Sequence, residues 1–233
     1  MALYNREVAQ NDFIKHGENW LQTRLKNKLN VIFDVGSNMG EWTYLARMIN
    51  PNAEIHTFEI IPETYRKLLT NLVIDKNIIP NGFGLSNASG TLRMKYRPEY
   101  DVVSTYLEEL AMDNAQYREG LVMTGDQYVN SRRIDYIDFL KVDTEGAEGL
   151  VLQGFKETLK QNRIGIIQFE YGYANILSKW LLVDAYKLLR PLGYILGELH
   201  NGRIEFHEYA LYHEKFDPPY YVAVHESKMH LLI

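Results

Sequence analysis

The chain has 233 residues, 46% of them hydrophobic, enough for one domain with a sizeable core and some elaboration. Its 25 basic and 30 acidic residues give a net charge of −5, which argues against a broad nucleic-acid footprint. With no cysteine, disulfides, thiolate catalysis and Cys-ligated metals are excluded; no apolar run approaches the ~20 residues of a membrane-spanning helix and no signal peptide opens the chain, so a cytoplasmic location is expected.

Residues 1–30 read as a helical lead-in, with Phe13, Ile14, Trp20, Leu21 and Leu25 as an approximate apolar stripe, either packed on the first strand or serving as a substrate lid. The main domain is expected over 31–233. Val31 to Val35 form a strand carrying the acid Asp34, followed by the turn Gly36-Ser37-Asn38-Met39-Gly40. From Glu41 to Ile49, Trp42, Leu45, Ala46 and Ile49 recur at helical spacing, which completes a strand, tight turn and helix. Such a turn aims the first amides of its helix above the strand ends, and Gly36 and Gly40 are expected to let a ligand approach the backbone. Glu54 to Glu59 read as a second strand ending in an acid, and Pro62 suits the first turn of the next helix. Asn77 to Leu85 contain a third strand ending near Phe83, and Thr91 to Tyr96 alternate as a short added strand. The least regular stretch, 97–135, is expected to be a variable cover over the substrate pocket, with helical turns over Leu107–Met112 and a helix from Thr124 to about Arg133.

Tyr136 to Asp143 form a fourth strand, again closed by an acid, with a helix after it. Arg163 to Glu170 form a buried fifth strand ending in Glu170. A helix over Trp180–Leu189, a sixth strand over Tyr194–Glu198, the turn Asn201-Gly202 and a last strand over Tyr220–His225 follow. Alternating strands and helices predict a parallel sheet, and a terminal strand pair with no strong helix between them implies an antiparallel member. The expectation is an α/β fold: a seven-stranded Rossmann-like sheet, mostly parallel with one antiparallel strand, and helices on both faces.

The turn discriminates between cofactors. Dinucleotide folds need G-x-G-x-x-G, and here Asn38 stands where the middle glycine belongs; the G-K-[ST] of a phosphate P-loop is absent. The D-x-G-x-N-x-G pattern instead resembles motif I of class I S-adenosylmethionine methyltransferases. Glu59 suits the ribose hydroxyls of an adenosine, a need that NAD and S-adenosylmethionine share. Three stretches together, Asp34–Gly40, Phe58-Glu59 and Asp138-Phe139-Leu140-Lys141-Val142-Asp143-Thr144-Glu145-Gly146-Ala147-Glu148, resemble FkbM-type methyltransferases over about residues 30 to 170. The family's F-E-P is interrupted here by Ile60 and Ile61 before Pro62.

The resemblance implies an S-adenosylmethionine-dependent O-methyltransferase acting on a hydroxyl of a sugar or secondary metabolite. On it, Asp34, Gly36, Ser37, Asn38 and Gly40 are assigned to the methionine end of the cofactor. Glu41 holds the turn or reaches the amino group, Glu59 takes the ribose, and Leu85 and Ser86 flank the adenine. Asp143 is the first candidate base or acceptor-orienting group, against a helix cap with Thr144. Glu170, with Tyr171 and Tyr173, lines the acceptor pocket or is a satisfied buried carboxylate. His200 is a base candidate or a turn residue. Glu145 and Glu148 fall where the first turn of a helix favours acids. No metal is expected: Asp143, Glu170 and His200 could in principle hold a divalent ion, but Glu170-Tyr171 stand where magnesium-dependent O-methyltransferases carry Asp-Asn. The 17 tyrosines suit a hydroxylated acceptor. A small molecule or glycan is the expected partner, and a homo-oligomer stays open. Two other functions stay open too: a dinucleotide-dependent oxidoreductase, and a catalytically silent cofactor-binding module.

Overall fold

A computed structural model of the protein describes residues 15–72, 75–97, 104–110, 113–216 and 220–232. Of the positions singled out above, Phe13, Ile14, Ala111 and Met112 lie outside the described residues.

Helix α1 (Glu18–Arg24) starts behind Gly17 and runs to strand β1 (Val31–Val35). After the turn come α2 (Glu41–Ile49), β2 (Glu54–Phe58), α3 (Pro62–Asn71) and β3 (Ile78–Asn81). Pro62 sits at the start of α3, where its missing N–H removes no helical bond. Four strands then fold away from the main sheet: β4 (Gly84–Leu85), β5 (Gly90–Tyr96), β6 (Ser104–Thr105) and β7 (Gln116–Met123). Helix α4 (Gly125–Arg132) opens on a capping box between Thr124 and Gln127. Strand β8 (Ile137–Val142), helices α5 (Glu148–Gly154) and α6 (Lys156–Lys160), and strand β9 (Ile164–Glu170) return the chain to the main sheet. Helices α7 (Tyr173–Ser178) and α8 (Leu182–Leu189) lead to β10 (Tyr194–His200), β11 (Arg203–Phe206) and β12 (Tyr220–His225).

The main sheet has eight strands in the order β11-β10-β12-β9-β8-β1-β2-β3. From β9 to β3 every pairing is parallel, while β12 is antiparallel to both β9 and β10. The expected seven strands are therefore present with one more, and two strands rather than one run against the rest. The reason is the Asn201-Gly202 turn: with Gly202 at φ 91, it folds β11 back on β10, pairing His200 with Arg203 and Leu199 with Ile204.

A second, four-stranded sheet has the order β4-β7-β5-β6. Strand β7 was not expected, and Leu107–Leu110 form turns rather than helix. The first four residues of β7 face mostly outward and Gly120 interrupts it, so no apolar alternation announces a strand there.

Successive residues of β1 point to opposite faces. Ile32 joins Leu21, Leu25, Trp42 and Phe139 on one face, so α1 packs against the sheet; Phe33 joins Phe58, Tyr128 and Phe155 on the other. Among the described residues no helix is long and apolar enough to cross a membrane.

Candidate active site

The site begins where β1 ends. Asp34 is fully buried, and its Oδ2 accepts a hydrogen bond from Thr43 Oγ1 at 2.6 Å. The chain turns at Gly36 (φ 84), and the amides of Gly36 and Ser37 both donate to the carbonyl of Phe58. The two glycines also serve the chain's own packing. A Cβ on Gly36 would lie 1.7 Å from the carbonyl oxygen of Asp143, and one on Gly40 (φ 92) would lie 2.8 Å from Leu68.

Asn38 adopts a positive φ of 47, and its amide donates to Glu59 Oε2 at 3.1 Å. The other oxygen, Oε1, accepts from the amide of Ile61 at 2.7 Å. Glu59 thus fastens the turn after β1 to the end of β2. The two isoleucines that depart from F-E-P have separate places: Ile61 is buried against Met94 and Tyr96, and Ile60 lines the cavity described next.

A cavity of about 560 Å³ opens above the strand ends. Gly36, Ser37, Asn38, Glu41, Glu59 and Leu85 line it, as six of the nine expected cofactor residues. Asp34, Gly40 and Ser86 do not. Ser86 is buried, and a Cβ on Gly154 would lie 2.1 Å from its carbonyl oxygen. The small sheet contributes Leu92, Met94, Ser104 and Val122, and Tyr106 follows just after β6. At the opposite wall stand Asp143, Glu145, Glu170 and Tyr220.

His200 is not part of the cavity lining. Its Nε2 faces Glu198 and Glu205 at 3.5 and 3.7 Å. Strand β12 lies between β10 and β9 in the sheet, which separates His200 from Glu170.

The charges are organised by Lys141, which sequence reading left without a role. It is 3% exposed and lines the cavity. Its Nζ donates to Asp143 Oδ2 at 2.8 Å and lies 3.9 Å from Asp34 Oδ1. Burial alone would lower its pKa, but Asp143, Asp34 and Glu18 outweigh burial and hold it above the ordinary lysine range. The hydroxyl of Tyr220 donates to the same Asp143 oxygen at 2.9 Å. A cation in the middle of the apolar run Phe139-Leu140-Lys141-Val142 was the available signal, since a charge in a strand buried on both faces needs partners.

Asp143 and Thr144 do not cap α5. That helix starts behind Ala147 with no side-chain cap. Glu148, fully buried, instead accepts from the Thr144 amide and hydroxyl at 2.9 Å, from the Gly146 amide at 3.1 Å and from Asn175 Nδ2 at 3.1 Å. It holds a loop in which Glu145 (φ 52) and Gly146 (φ 106) are left-handed, so Glu145 precedes the helix rather than joining its first turn. Burial, then Asp143 and Glu148, push Glu145 up to about 8, and burial with Asp143 raises Glu170 well above the usual carboxylate range. Oxygens of Asp143, Glu145 and Glu170 all lie within 4.8 Å of one another, a spacing that could hold a metal ion. This trio differs from the Asp143, Glu170 and His200 set read from sequence.

Glu18 of α1 is the other residue without a sequence signal. It is buried, lines the cavity, and accepts from Gln168 Nε2 at 2.7 Å.

Comparison with known proteins agrees with this geometry. The model of the methyltransferase FkbM domain matches residues 34–196. Hexuronic acid methyltransferase AglP of Haloferax volcanii is 27% identical over 180 residues, covering 73% of this chain and 71% of the relative. 31-O-demethyl-FK506 methyltransferase FkbM of Streptomyces tacrolimicus is 26% identical over 183 residues, covering 66% and 68%. The crystal structure of methyltransferase FkbM from Methylobacillus flagellatus KT superposes with a TM-score of 0.54 at 13% identity, a likeness of fold; it covers 84% of this chain and 44% of that longer one. Since the family match spans the turn after β1, the acid after β2 and the whole β8–β9 segment, the chain belongs to the FkbM methyltransferase family.

Proposed function

We propose that the protein transfers a methyl group from S-adenosylmethionine to a hydroxyl of a sugar or secondary-metabolite acceptor. The observation that carries this reading is a single cavity joining the Gly36–Asn38 turn and Glu59 to the carboxylates beyond β8 and β9. Two relatives add support, one named for a hexuronic acid and one for a 31-O-demethyl compound.

The residues fit the cofactor. Glu59, held at the cavity by two backbone amides, is the acceptor placed for ribose hydroxyls. Ser37 Oγ is buried at the turn with no partner among the described residues, as a group reserved for a ligand would be. Ile60 and Leu85 offer apolar cover for an adenine.

When bound, S-adenosylmethionine supplies an activated methyl group on a sulfonium. The acceptor hydroxyl would be held beside the Asp143 and Glu170 carboxylates, one of which would take its proton. Holding the acceptor in line can contribute roughly 7–11 kcal/mol, and a general base about 10²–10⁴-fold. Asp143 is the first candidate for that base or for orienting the hydroxyl. Lys141 and Tyr220 occupy its Oδ2, which leaves Oδ1 for the acceptor. Glu170 stands next to it as the second candidate.

Calorimetric titration with S-adenosylmethionine, S-adenosylhomocysteine, NAD and ATP tests the cofactor, and labelled-methyl transfer over a panel of hydroxylated acceptors tests the reaction. Tight NAD binding with none of the sulfonium cofactor would return the protein to the oxidoreductase reading. Cofactor binding without transfer to any acceptor would favour the silent module.

A further inference from the structure

Helix α1 lies outside the residues that the family model matches, yet it delivers an acid to the cavity wall. Glu18 is 1% exposed. Gly17, immediately before it, is packed so closely that a Cβ there would lie 2.5 Å from the carbonyl oxygen of His200, so the start of the helix is pinned to the end of β10. The amide of Gln168 holds Oε1 from the sheet side.

The charged groups facing Glu18 are Lys141 and Asp143 around β8, Asp34 from β1, and Tyr220 from β12. The nearby ammonium, Lys141, already bonds Asp143. Burial, opposed by Lys141, pushes the Glu18 carboxyl up to about 7. A buried carboxylate with no cation of its own is costly, and a ligand that brings one relieves it.

Two residues that line the same cavity carry donors without acceptors: Ser37 Oγ and Trp42 Nε1 are both buried and have no hydrogen-bond partner among the described residues. Helix α2 begins between them, and its N-terminus favours negative charge. An acid whose facing ammonium already bonds Asp143, in one cavity with donors that lack an acceptor among the described residues, is the complement of an amino-acid zwitterion. The proposed cofactor has one such part, its methionine end.

We infer that Glu18 receives the α-ammonium of the cofactor's methionine while Ser37 and Trp42 receive its carboxylate, so that α1 is part of the cofactor site. The inference rests on the S-adenosylmethionine reading above and adds to it a residue that precedes the matched domain.

The test compares two probes on the intact protein. S-adenosylhomocysteine carries the amino acid; 5′-methylthioadenosine is a nucleoside thioether without it. Glu18→Gln keeps the shape and an oxygen for Gln168. It should fold, with an unfolding midpoint no lower than that of the parent, and weaken S-adenosylhomocysteine roughly tenfold or more, the scale of a lost charged hydrogen bond. Its affinity for 5′-methylthioadenosine should change less than about twofold, within the spread of neutral surface effects. Trp42→Phe, which keeps the ring packing and removes the N–H, should show the same selectivity at smaller size. Unchanged S-adenosylhomocysteine affinity in both variants, or an equal loss for both probes, overturns the inference. If the parent protein binds no S-adenosylhomocysteine at all, the cofactor reading itself fails and this inference with it.

Discussion

Lys141 and Asp143 stand two residues apart at the end of β8, and the ammonium of the first donates to Oδ2 of the second at 2.8 Å. Tyr220 reaches the same oxygen from β12. The side chain that sequence reading nominated as a base is therefore held in one orientation by a cation and a phenol that share one of its oxygens.

Asp143→Asn keeps the shape and an oxygen for Lys141 and Tyr220 but removes the charge. The variant should fold, bind S-adenosylhomocysteine, and lose about 10²-fold or more in transfer rate, the scale of general base catalysis. Single-turnover methyl transfer, read beside melting temperature and cofactor affinity, measures this. Normal turnover would pass the role to Glu170.

Gly36→Ala should destabilise the fold through its contact with β8 and not merely weaken a ligand. The added Cβ would lie 1.7 Å from the Asp143 carbonyl oxygen, and φ is 84. Gly202→Ala is the control, since its φ of 91 is similar but nothing lies within 4 Å. Left-handed strain alone costs roughly 1–2 kcal/mol, and overpacking adds about 1–3 kcal/mol. Urea unfolding should therefore place Gly36→Ala clearly below Gly202→Ala; equal losses would show that the contact is relieved without cost.

Stability should fall as pH rises from about 4.5 to 8. Burial raises Glu18 to about 7 and Glu145 to about 8 in the folded protein, from an ordinary 4.5. Between those values the folded state holds protons that the unfolded chain has released, so protonation favours folding. The gain is complete below the unfolded value and is lost as pH passes through the folded ones. Melting temperature against pH should show this decline, and Glu145→Gln should flatten its upper end. A melting temperature that climbs from pH 5 to 8 would contradict the assignment.

Methyl transfer should survive a chelator. Lys141 already places a positive charge against Asp143, and β9 ends in Glu170-Tyr171. Loss of turnover with EDTA, restored by magnesium, would instead assign the Asp143, Glu145 and Glu170 trio to a metal.

The strands that position the site were legible because each carries its own signal: an apolar run closed by an acid, as at Asp34, Glu59, Asp143 and Glu170. What was hidden depends on pairing between distant segments. Strand β7 shows a mostly outward-facing first half, and Gly120 is needed only because a Cβ there would lie 2.2 Å from Ile60. His200 looked close to the site because it ends a strand, but the order of the last strands inserts β12 in between. Glu18 had no local mark, because an acid opening a helix is ordinary; its burial is created by β1, β8 and β9 together.

The added strand β11 also bears on how copies of the protein can meet. It closes one side of the main sheet with a short run in which Arg203 and Glu205 are exposed and lie 3.4 Å apart. The other side is closed by β3, where Pro80 offers no backbone donor. Charge on one border and proline on the other discourage a strand from a second molecule. Growth of the main sheet by addition of a strand is thus disfavoured at both borders.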